Sequence, residues 1–326
     1  MENGSILYNP LSFRFYYLDK SQTEKFLKEN KKVKVLTPKV SNPFILCFFD
    51  LTYKCNLKCI HCHNAYENIR ELTYEQKLNA LNQIFDLGVL HISFGGGEPT
   101  LYEHLLDILK YTSRHTTCSF VTNGTLLDKE FCKKLRGLVS YVGVSLDGFR
   151  ETHAKIRNAD IFDKVIESIQ MLIRYKIPVR VTTTPTKINY KELPALGRFV
   201  LKDLKVSAWK IMKYIPEGGK GLELALTDEE EKWLYTQINK LSKEKIDYYL
   251  CIKCPAGKSV FSVYANGDVS PCGFAPFMIS GNLLKTPLVE ILQNGTFFKL
   301  MRIVKSNKCI SANFWRENKF YKTPGW

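Results

Sequence analysis

The fold is decided by residues 44–63, which read FILCFFDLTYKCNLKCIHCH. The apolar segment from Phe44 to Leu51 is typical of a buried β-strand, and three cysteines follow it closely. Cys55, Cys59 and Cys62 are separated by three and then by two residues, so their thiols can converge on a single metal centre. Three thiolates are one short of the four that close a [4Fe–4S] cluster, and such a cluster would keep one iron open for another ligand.

A structural zinc site is the simplest alternative for these cysteines, with His61 or His63 as the fourth ligand. Zinc sites prefer paired CxxC elements, whereas the spacing here is Cx3Cx2C. The cysteines also follow a strand, and catalytic groups of α/β barrels lie at the carboxyl ends of strands. Both observations favour an iron–sulfur cluster.

The composition is that of an ordinary globular protein, with 45% hydrophobic and 24% charged residues in a chain of 326. The chain has no run of eighteen apolar residues and no secretory signal, so we expect a cytoplasmic protein without a membrane span. The net charge of +15 is not gathered into a basic stripe, and nucleic acid is therefore not an expected partner. Ten cysteines without a signal peptide indicate reduced thiols and metal ligands rather than disulfides.

Short apolar runs alternate with amphipathic stretches between about residues 44 and 215. The runs predict six strands, over residues 44–51, 90–94, 117–122, 141–146, 179–184 and 208–214. The stretches between them predict helices over residues 73–87, 101–113, 128–135, 161–175 and 190–201. Regular alternation implies parallel strands with right-handed crossovers, and six repeats are fewer than the eight of a closed barrel. The predicted fold class is α/β, a partial (β/α)6 TIM-like barrel.

The character of the sequence changes after Pro216. Residues 227–243 predict a linker helix, and closely spaced Cys, Gly and Pro follow, with a hairpin signal at Asn266-Gly267. Residues 288–304 predict one more helix. We therefore expect an N-terminal extension at 1–43, the barrel at 44–215, a linker helix at 216–244, a small C-terminal domain at 245–310 and a tail at 311–326.

The cysteine run resembles that of the radical S-adenosylmethionine (SAM) superfamily, whose hallmark is Cx3CxΦC after the first strand of a partial barrel. His61 occupies the Φ position, which is usually aromatic. The resemblance implies a [4Fe–4S] cluster held by Cys55, Cys59 and Cys62, with SAM chelating the open iron. Reduction of the cluster would then cleave SAM to a 5′-deoxyadenosyl radical.

A glycine-rich segment supports the resemblance, because FGGGEP at 94–99 follows the second predicted strand. Alone, this segment is a weak phosphate-loop signal without a Walker lysine. The resemblance makes it the GGE motif, in which Gly96, Gly97 and Glu98 contact the amino end of SAM. Glycines permit close backbone approach, and a carboxylate suits an ammonium group.

Four polar residues further along the chain are candidate SAM contacts. Asn123 and Ser145 end the third and fourth predicted strands, although either residue would also suit a turn. In relatives the fourth-strand segment lies beside the SAM ribose, which favours Ser145 and, less directly, Asp147. Arg157 resembles the basic residue that relatives place near the SAM carboxylate, and a solvated helix-leading arginine is the alternative.

The C-terminal cysteines form a second constellation. Cys254 and Cys272 frame the pattern Cx12Gx4C, which resembles the opening half of the SPASM/twitch extension. A full SPASM domain continues with a dense series of cysteines, whereas only Cys309 follows here. We therefore expect one auxiliary [4Fe–4S] cluster held by Cys251, Cys254, Cys272 and Cys309, the last being the most distant. A rubredoxin-like or zinc site is the alternative.

The predicted function is that of a radical SAM enzyme that abstracts hydrogen from a peptide or protein during its modification. A step in small-molecule cofactor biosynthesis, of the molybdopterin, haem or quinone type, is the alternative within the enzyme class. The expected electron donor is a flavodoxin or ferredoxin. A non-catalytic iron–sulfur electron carrier and a zinc-stabilised nucleic-acid binder are more remote, because neither needs the GGE motif.

Overall fold

The computed structural model describes residues 5–9, 14–18, 20–29, 44–62, 69–216, 221–241, 246–249, 254–303 and 309. The strands are β1 (Ser5–Asn9), β2 (Arg14–Leu18), β3 (Leu46–Thr52), β4 (His91–Gly96), β5 (Thr117–Thr122), β6 (Tyr141–Ser145), β7 (Val179–Thr183), β8 (Ala208–Met212), β9 (Ile246–Tyr249), β10 (Val260–Val263), β11 (Asp268–Ser270) and β12 (Gly281–Asn282). The α-helices are α1 (Lys20–Glu29), α2 (Tyr74–Asp86), α3 (Leu105–Ser113), α4 (Lys129–Leu135), α5 (Arg150–Arg157), α6 (Phe162–Arg174), α7 (Leu193–Arg198), α8 (Asp228–Ile238), α9 (Leu288–Asn294) and α10 (Thr296–Ile303).

One ten-stranded sheet organises most of the described chain, in the order β12-β11-β10-β3-β4-β5-β6-β7-β8-β9. Every neighbouring pair from β10 across to β9 is parallel, and β11 and β12 continue the sheet antiparallel. Strands β1 and β2 form a separate antiparallel pair. The six predicted strands are β3 to β8, and the partial-barrel fold class is confirmed.

The sheet extends beyond the six predicted strands at both ends. Strand β9 adds to β8, and β10 of the C-terminal region pairs with β3, the strand that leads into the cysteines. The predicted hairpin around Asn266-Gly267 is confirmed as β10 and β11, with Gly267 at a φ of 88°. The C-terminal region is thereby joined to the barrel beside the cysteine run. The predicted domain boundaries stay a prediction.

One helix was not predicted, and one predicted helix is wrong. Helix α5 lacks a side-chain cap at Phe149 and has a very polar sequence, so no start signal marks it. A single helix over 288–304 is wrong, because Gly295 leaves the helical region with a ψ of 133° and separates α9 from α10. Glycine is a poor helix former, which explains the break.

One face of each barrel strand packs against the surrounding helices. The hydrophobic core between the strands and the helices fully buries Phe49, Ile92, Phe120 and Val181, as parallel strands require.

Helix α2 begins at a complete capping box, in which the Thr73 side chain accepts a hydrogen bond from the Gln76 amide and the Gln76 side chain accepts one from the Thr73 amide. Within the described residues, no helix is both long and apolar enough to cross a membrane.

The inner face of the barrel is polar. The His91 imidazole lies 2.9 Å from the Thr117 hydroxyl and 2.8 Å from the Ser119 hydroxyl. Thr117 donates its own proton to the Leu90 carbonyl, so we assign the His91 proton to Nδ1. Burial and the nearby charges of Arg180 and Lys210 lower the pKa of His91 to about 3, and the ring is neutral. The barrel interior is thus hydrogen-bonded and cationic below the carboxyl ends of its strands.

Candidate functional site

The cysteine run lines a cavity at the carboxyl ends of the barrel strands. Cys55, Cys59 and Cys62 all face this cavity, which has a volume of about 220 Å³. Cys55 and Cys62 are exposed, and Cys59 is half-buried. The Cys62 amide donates to the Cys59 carbonyl at 3.2 Å, which curls the run so that both thiols share one side. The structure therefore brings together the three predicted cluster ligands.

An amide clamp holds the cysteine run against the end of β5. Asn123 donates from Nδ2 to Oδ1 of Asn56 at 2.8 Å, and Asn56 donates to the Thr125 hydroxyl at 2.9 Å. The Oδ1 atom of Asn123 accepts from the Thr125 amide and hydroxyl. Asn123 lines the cavity as predicted, but most of its hydrogen-bonding capacity positions the loop. Its contact with SAM stays a prediction.

The glycines of the GGE motif allow two backbone segments to meet. A Cβ atom on Gly96 would lie 2.2 Å from the Thr52 carbonyl oxygen, and one on Gly97 would lie 2.3 Å from that of Lys54. The Gly97 amide donates to Thr52 and the Glu98 amide to Lys54, at 2.7 and 2.8 Å. Gly96 also has a φ of 116°, which L side chains rarely adopt. The close approach joins the motif to the segment that enters the cysteine run.

Glu98 is 1% exposed and lines the cavity. Its Oε1 atom accepts from the Thr100 amide and from the hydroxyls of Thr100 and Thr122, at 3.1, 2.6 and 2.6 Å. Its Oε2 atom accepts from the Asn123 amide at 2.7 Å. The carboxylate therefore connects the ends of β4 and β5, and Oε2 retains acceptor capacity for a further donor.

A buried ion pair lies beside Cys59. Arg157, 8% exposed, places Nη2 2.6 Å from Oδ2 of fully buried Asp147 and Nη1 3.8 Å from Sγ of Cys59. Burial alone would raise the pKa of Asp147, but the Arg157 charge, His61, His153 and the Thr184 amide together hold it below its usual range. Arg157 is therefore a buried cation at the cavity wall, and the solvated-arginine alternative is wrong.

His61, at the Φ position, packs into the same group. Its Nε2 atom lies 3.9 Å from Oδ2 of Asp147, and the ring lines the cavity. Burial lowers the pKa of His61 to about 4 despite the opposing charge of Asp147, so the ring is neutral at pH 7. His63 lies outside the described residues.

The opposite wall of the cavity comes from β6, β7, β8 and the C-terminal region. Ser145 and Thr182 face the cavity from neighbouring strands and stand opposite each other in the β6–β7 register. The segment from Met212 to Ile215 continues the wall, and Phe274, two residues after Cys272, completes it. Sequence reasoning missed Thr182 and Phe274, although the position of Thr182 at a strand end was a usable signal.

Three of the four predicted auxiliary ligands lie within the described residues. Cys254 and Cys272 pack against one small apolar group that includes Met301, and Cys309 is buried. Burial raises the pKa of Cys254, and the charge of the Cys309 thiolate would raise it further. Cys251 lies outside the described residues.

The cavity fits SAM and a polynuclear cluster. Three buried atoms on the wall lack a hydrogen-bond partner within the described chain: Arg157 Nε, Thr182 Oγ1 and His61 Nδ1. Buried polar atoms are normally paired, so this wall suits a polar ligand.

Comparison with known proteins defines the class. Residues 50–200 match the model of the radical SAM superfamily, and residues 254–313 match that of SPASM, an iron–sulfur cluster-binding domain. Together the two models cover more than half of the chain, which belongs to the radical SAM superfamily and carries a SPASM domain. The chain is a radical SAM enzyme. Its radical SAM domain binds a [4Fe–4S] cluster and SAM, and its SPASM domain binds auxiliary iron–sulfur clusters.

Individual relatives differ in what they act on. The AdoMet-dependent heme synthase of Methanosarcina barkeri is 27% identical over 79% of this chain and 84% of its own length. The subtilosin biosynthesis protein AlbA of Bacillus subtilis is 27% identical over 77% of this chain and 60% of its own. Streptococcus suis SuiB, solved with its precursor peptide SuiA, superposes with a TM-score of 0.71 at 17% identity, covering 93% of this chain and 88% of SuiB. The last comparison shows a shared fold.

Proposed function

We propose that this radical SAM enzyme modifies a peptide or protein by abstracting a hydrogen atom from it. The observation that carries the proposal is one cavity, lined by three thiols, the GGE motif and Arg157, whose wall is completed by Phe274 of the SPASM region. SAM bound at a reduced cluster supplies a 5′-deoxyadenosyl radical. The substrate would enter between the end of β8 and the loop that carries Phe274.

The cavity residues divide the work of holding the cofactors. Cys55, Cys59 and Cys62 would bind three irons of the cluster. The remaining lone pair on Oε2 of Glu98 suits the SAM ammonium group, and the unpaired Nε of Arg157 suits its carboxylate. Ser145, together with Thr182, would offer hydroxyl groups to the ribose. Cys251, Cys254, Cys272 and Cys309 would hold one auxiliary [4Fe–4S] cluster.

A peptide substrate suits this cavity, because a peptide can present one side chain to it while the rest of the peptide remains outside. The precursor peptide bound to SuiB, a protein of the same fold, supports this interpretation.

Tetrapyrrole or other cofactor biosynthesis is the second candidate. The 27% identity to a heme synthase over most of both chains favours it. One experiment distinguishes peptide modification from cofactor biosynthesis. The reduced enzyme and SAM are incubated with peptides encoded beside its gene and, in parallel, with iron-coproporphyrin. A substrate-dependent mass change in the peptide supports the proposal, and a change in the porphyrin alone overturns it.

The assignment of the two cysteine groups is tested by matched alanine variants. After anaerobic reconstitution and reduction with dithionite, wild-type enzyme should release 5′-deoxyadenosine from SAM. Cys59→Ala should abolish this release, whereas Cys272→Ala should retain uncoupled cleavage while losing product. Cleavage by Cys59→Ala at the wild-type rate would contradict the assignment. Wild-type protein should contain about eight irons if two [4Fe–4S] clusters form.

The electron donor is proposed to be an acidic flavodoxin or ferredoxin. Lys54 and Lys58 are exposed in the cysteine run, and Ile60, two residues after Lys58, is 44% exposed. Exposed basic side chains beside an exposed apolar one favour an acidic partner. Lys58→Glu should slow turnover driven by flavodoxin but not by dithionite, whereas Lys202→Glu, also exposed, should affect neither. Equal slowing with both reductants would contradict this docking site.

A further inference from the structure

The Arg157 guanidinium group contacts two side chains, those of Asp147 and Cys59, in addition to facing the cavity. One terminal nitrogen pairs with Asp147 and the other points at Sγ of Cys59, at 2.6 and 3.8 Å. The guanidinium group carries five N–H donors in a fixed plane, so it can serve both groups and still keep Nε for another ligand. A contact with the SAM carboxylate would use only part of this arrangement.

Asp147 is built to keep Arg157 in place. Its Oδ1 accepts from the Thr184 amide at 2.9 Å, and its backbone carbonyl accepts from Asn189 at 2.7 Å. Its own amide donates to Nδ1 of His153 at 3.1 Å. Asp147 is fully buried, so its charge interacts strongly with Arg157. The side chain that positions Arg157 therefore has little freedom to move.

Charge and hydrogen bonding at a cluster thiolate control the reduction potential of an iron–sulfur cluster. Reduction adds a negative charge, which a nearby cation stabilises and a nearby anion destabilises. Arg157 is the cation that lies against Cys59, and Asp147 is the anion immediately behind it. The net effect on the cluster depends on both members of the pair.

We propose that Arg157 and Asp147 set the reduction potential of the SAM-binding cluster, with Arg157 raising it through Cys59 and Asp147 moderating that effect. Both are positioning residues in this role, distinct from any contact that Arg157 makes with SAM. The inference rests on the proposed assignment of Cys59 as a cluster ligand. It predicts opposite effects for the loss of either member of the pair.

The test is a redox titration of the reconstituted cluster, followed by electron paramagnetic resonance in the absence of SAM. The signal of interest is the one that Cys59→Ala abolishes. Arg157→Gln should lower the midpoint potential and Asp147→Asn should raise it. Each shift should be ~59 mV, which corresponds to a tenfold change in the equilibrium constant for one-electron reduction of the cluster. Arg157→Lys keeps the charge but lacks the fork, so its potential should lie between those of Arg157→Gln and wild type.

Arg150→Gln is the matched control, because Arg150 begins the same helix but pairs with Asp160 and Asp163 at the surface. Its potential should equal that of wild type. Arg157 and Asp147 variants that shift the potential in the same direction, or not at all, overturn the inference. If Arg157→Gln fails to hold a cluster, Asp147→Asn and Arg157→Lys decide the outcome. Wild-type protein without a signal that depends on Cys59 would instead contradict the proposed function.

Discussion

Replacement of Gly97 by alanine should displace the cysteine run without touching a cysteine. The new Cβ atom would lie 2.3 Å from the carbonyl oxygen of Lys54 and 2.6 Å from that of Tyr53. Both are backbone atoms, so no side-chain rotation relieves the contact. The hydrogen bond from the Gly97 amide to Thr52, at 2.7 Å, prevents the two segments from separating freely.

The size of the effect follows from the distances. Relief of the contact requires the GGE segment and the cysteine run to move apart by about 1 Å, and misplacement of that size can cost ~100-fold in rate. Overpacking of a well-packed site costs about 1–3 kcal/mol in the free energy of unfolding. We therefore expect Gly97→Ala to fold with reduced stability, to retain less iron and to form 5′-deoxyadenosine ~100-fold more slowly.

Gly95→Ala is the matched control in the same motif. Its Cβ atom would meet only the side-chain oxygen Oδ1 of Asp50, at 3.2 Å, so that side chain would need to shift by only a few tenths of an ångström. Iron content and the thermal midpoint should thus stay near wild type in Gly95→Ala and fall in Gly97→Ala. If Gly97→Ala holds iron and cleaves SAM as well as wild type, the close approach does not position the cysteines.

Three further variants test other parts of the site. Asn123→Ala removes the hydrogen bond that holds Asn56, so the cysteine run should open more often. A chelator should therefore remove the cluster bound by this run faster from the variant than from wild type. Phe274→Ala opens the cavity wall, so 5′-deoxyadenosine should form with less product per SAM cleaved; unchanged coupling would exclude a role in holding substrate. Burial raises the pKa of Asp50 from its usual 3.8 to about 7, which favours the protonated form in the fold. The free energy of unfolding should therefore fall as the pH rises from 6 to 8, and Asp50→Asn should flatten this dependence in denaturant titrations; an identical slope in both proteins would exclude Asp50 as the cause.

Local patterns predicted the parts of the fold that local forces determine. Apolar runs located β3 to β8 because each strand buries one full face in the core, and the order of the motifs followed from the order of the strands. The addition of β10 to the edge of β3 had no such signal, since it joins segments more than two hundred residues apart. Phe274 reaches the cavity through this pairing, so its role was invisible in the sequence.

Asn56 shows the same limit at the scale of one side chain. It lies between Cys55 and Cys59, where an asparagine suits any exposed loop, and nothing nearby in the sequence indicates its partner. The partner is Asn123, which the resemblance assigned to SAM. A residue's motif position therefore identified the right cavity but only part of what the side chain does there.

Glu98 carries this argument furthest. Its position in the motif predicts a carboxylate for the SAM ammonium group, and one lone pair on Oε2 remains for that purpose. The rest of the carboxylate accepts hydrogen bonds from Thr100 and Thr122, and so it ties the end of β4 to that of β5. Because β4 and β5 are adjacent parallel strands, the group that faces the cofactor also fixes the wall around it. Activity measured on a Glu98 variant would combine both losses, and only a separate measurement of SAM affinity and of stability can assign them.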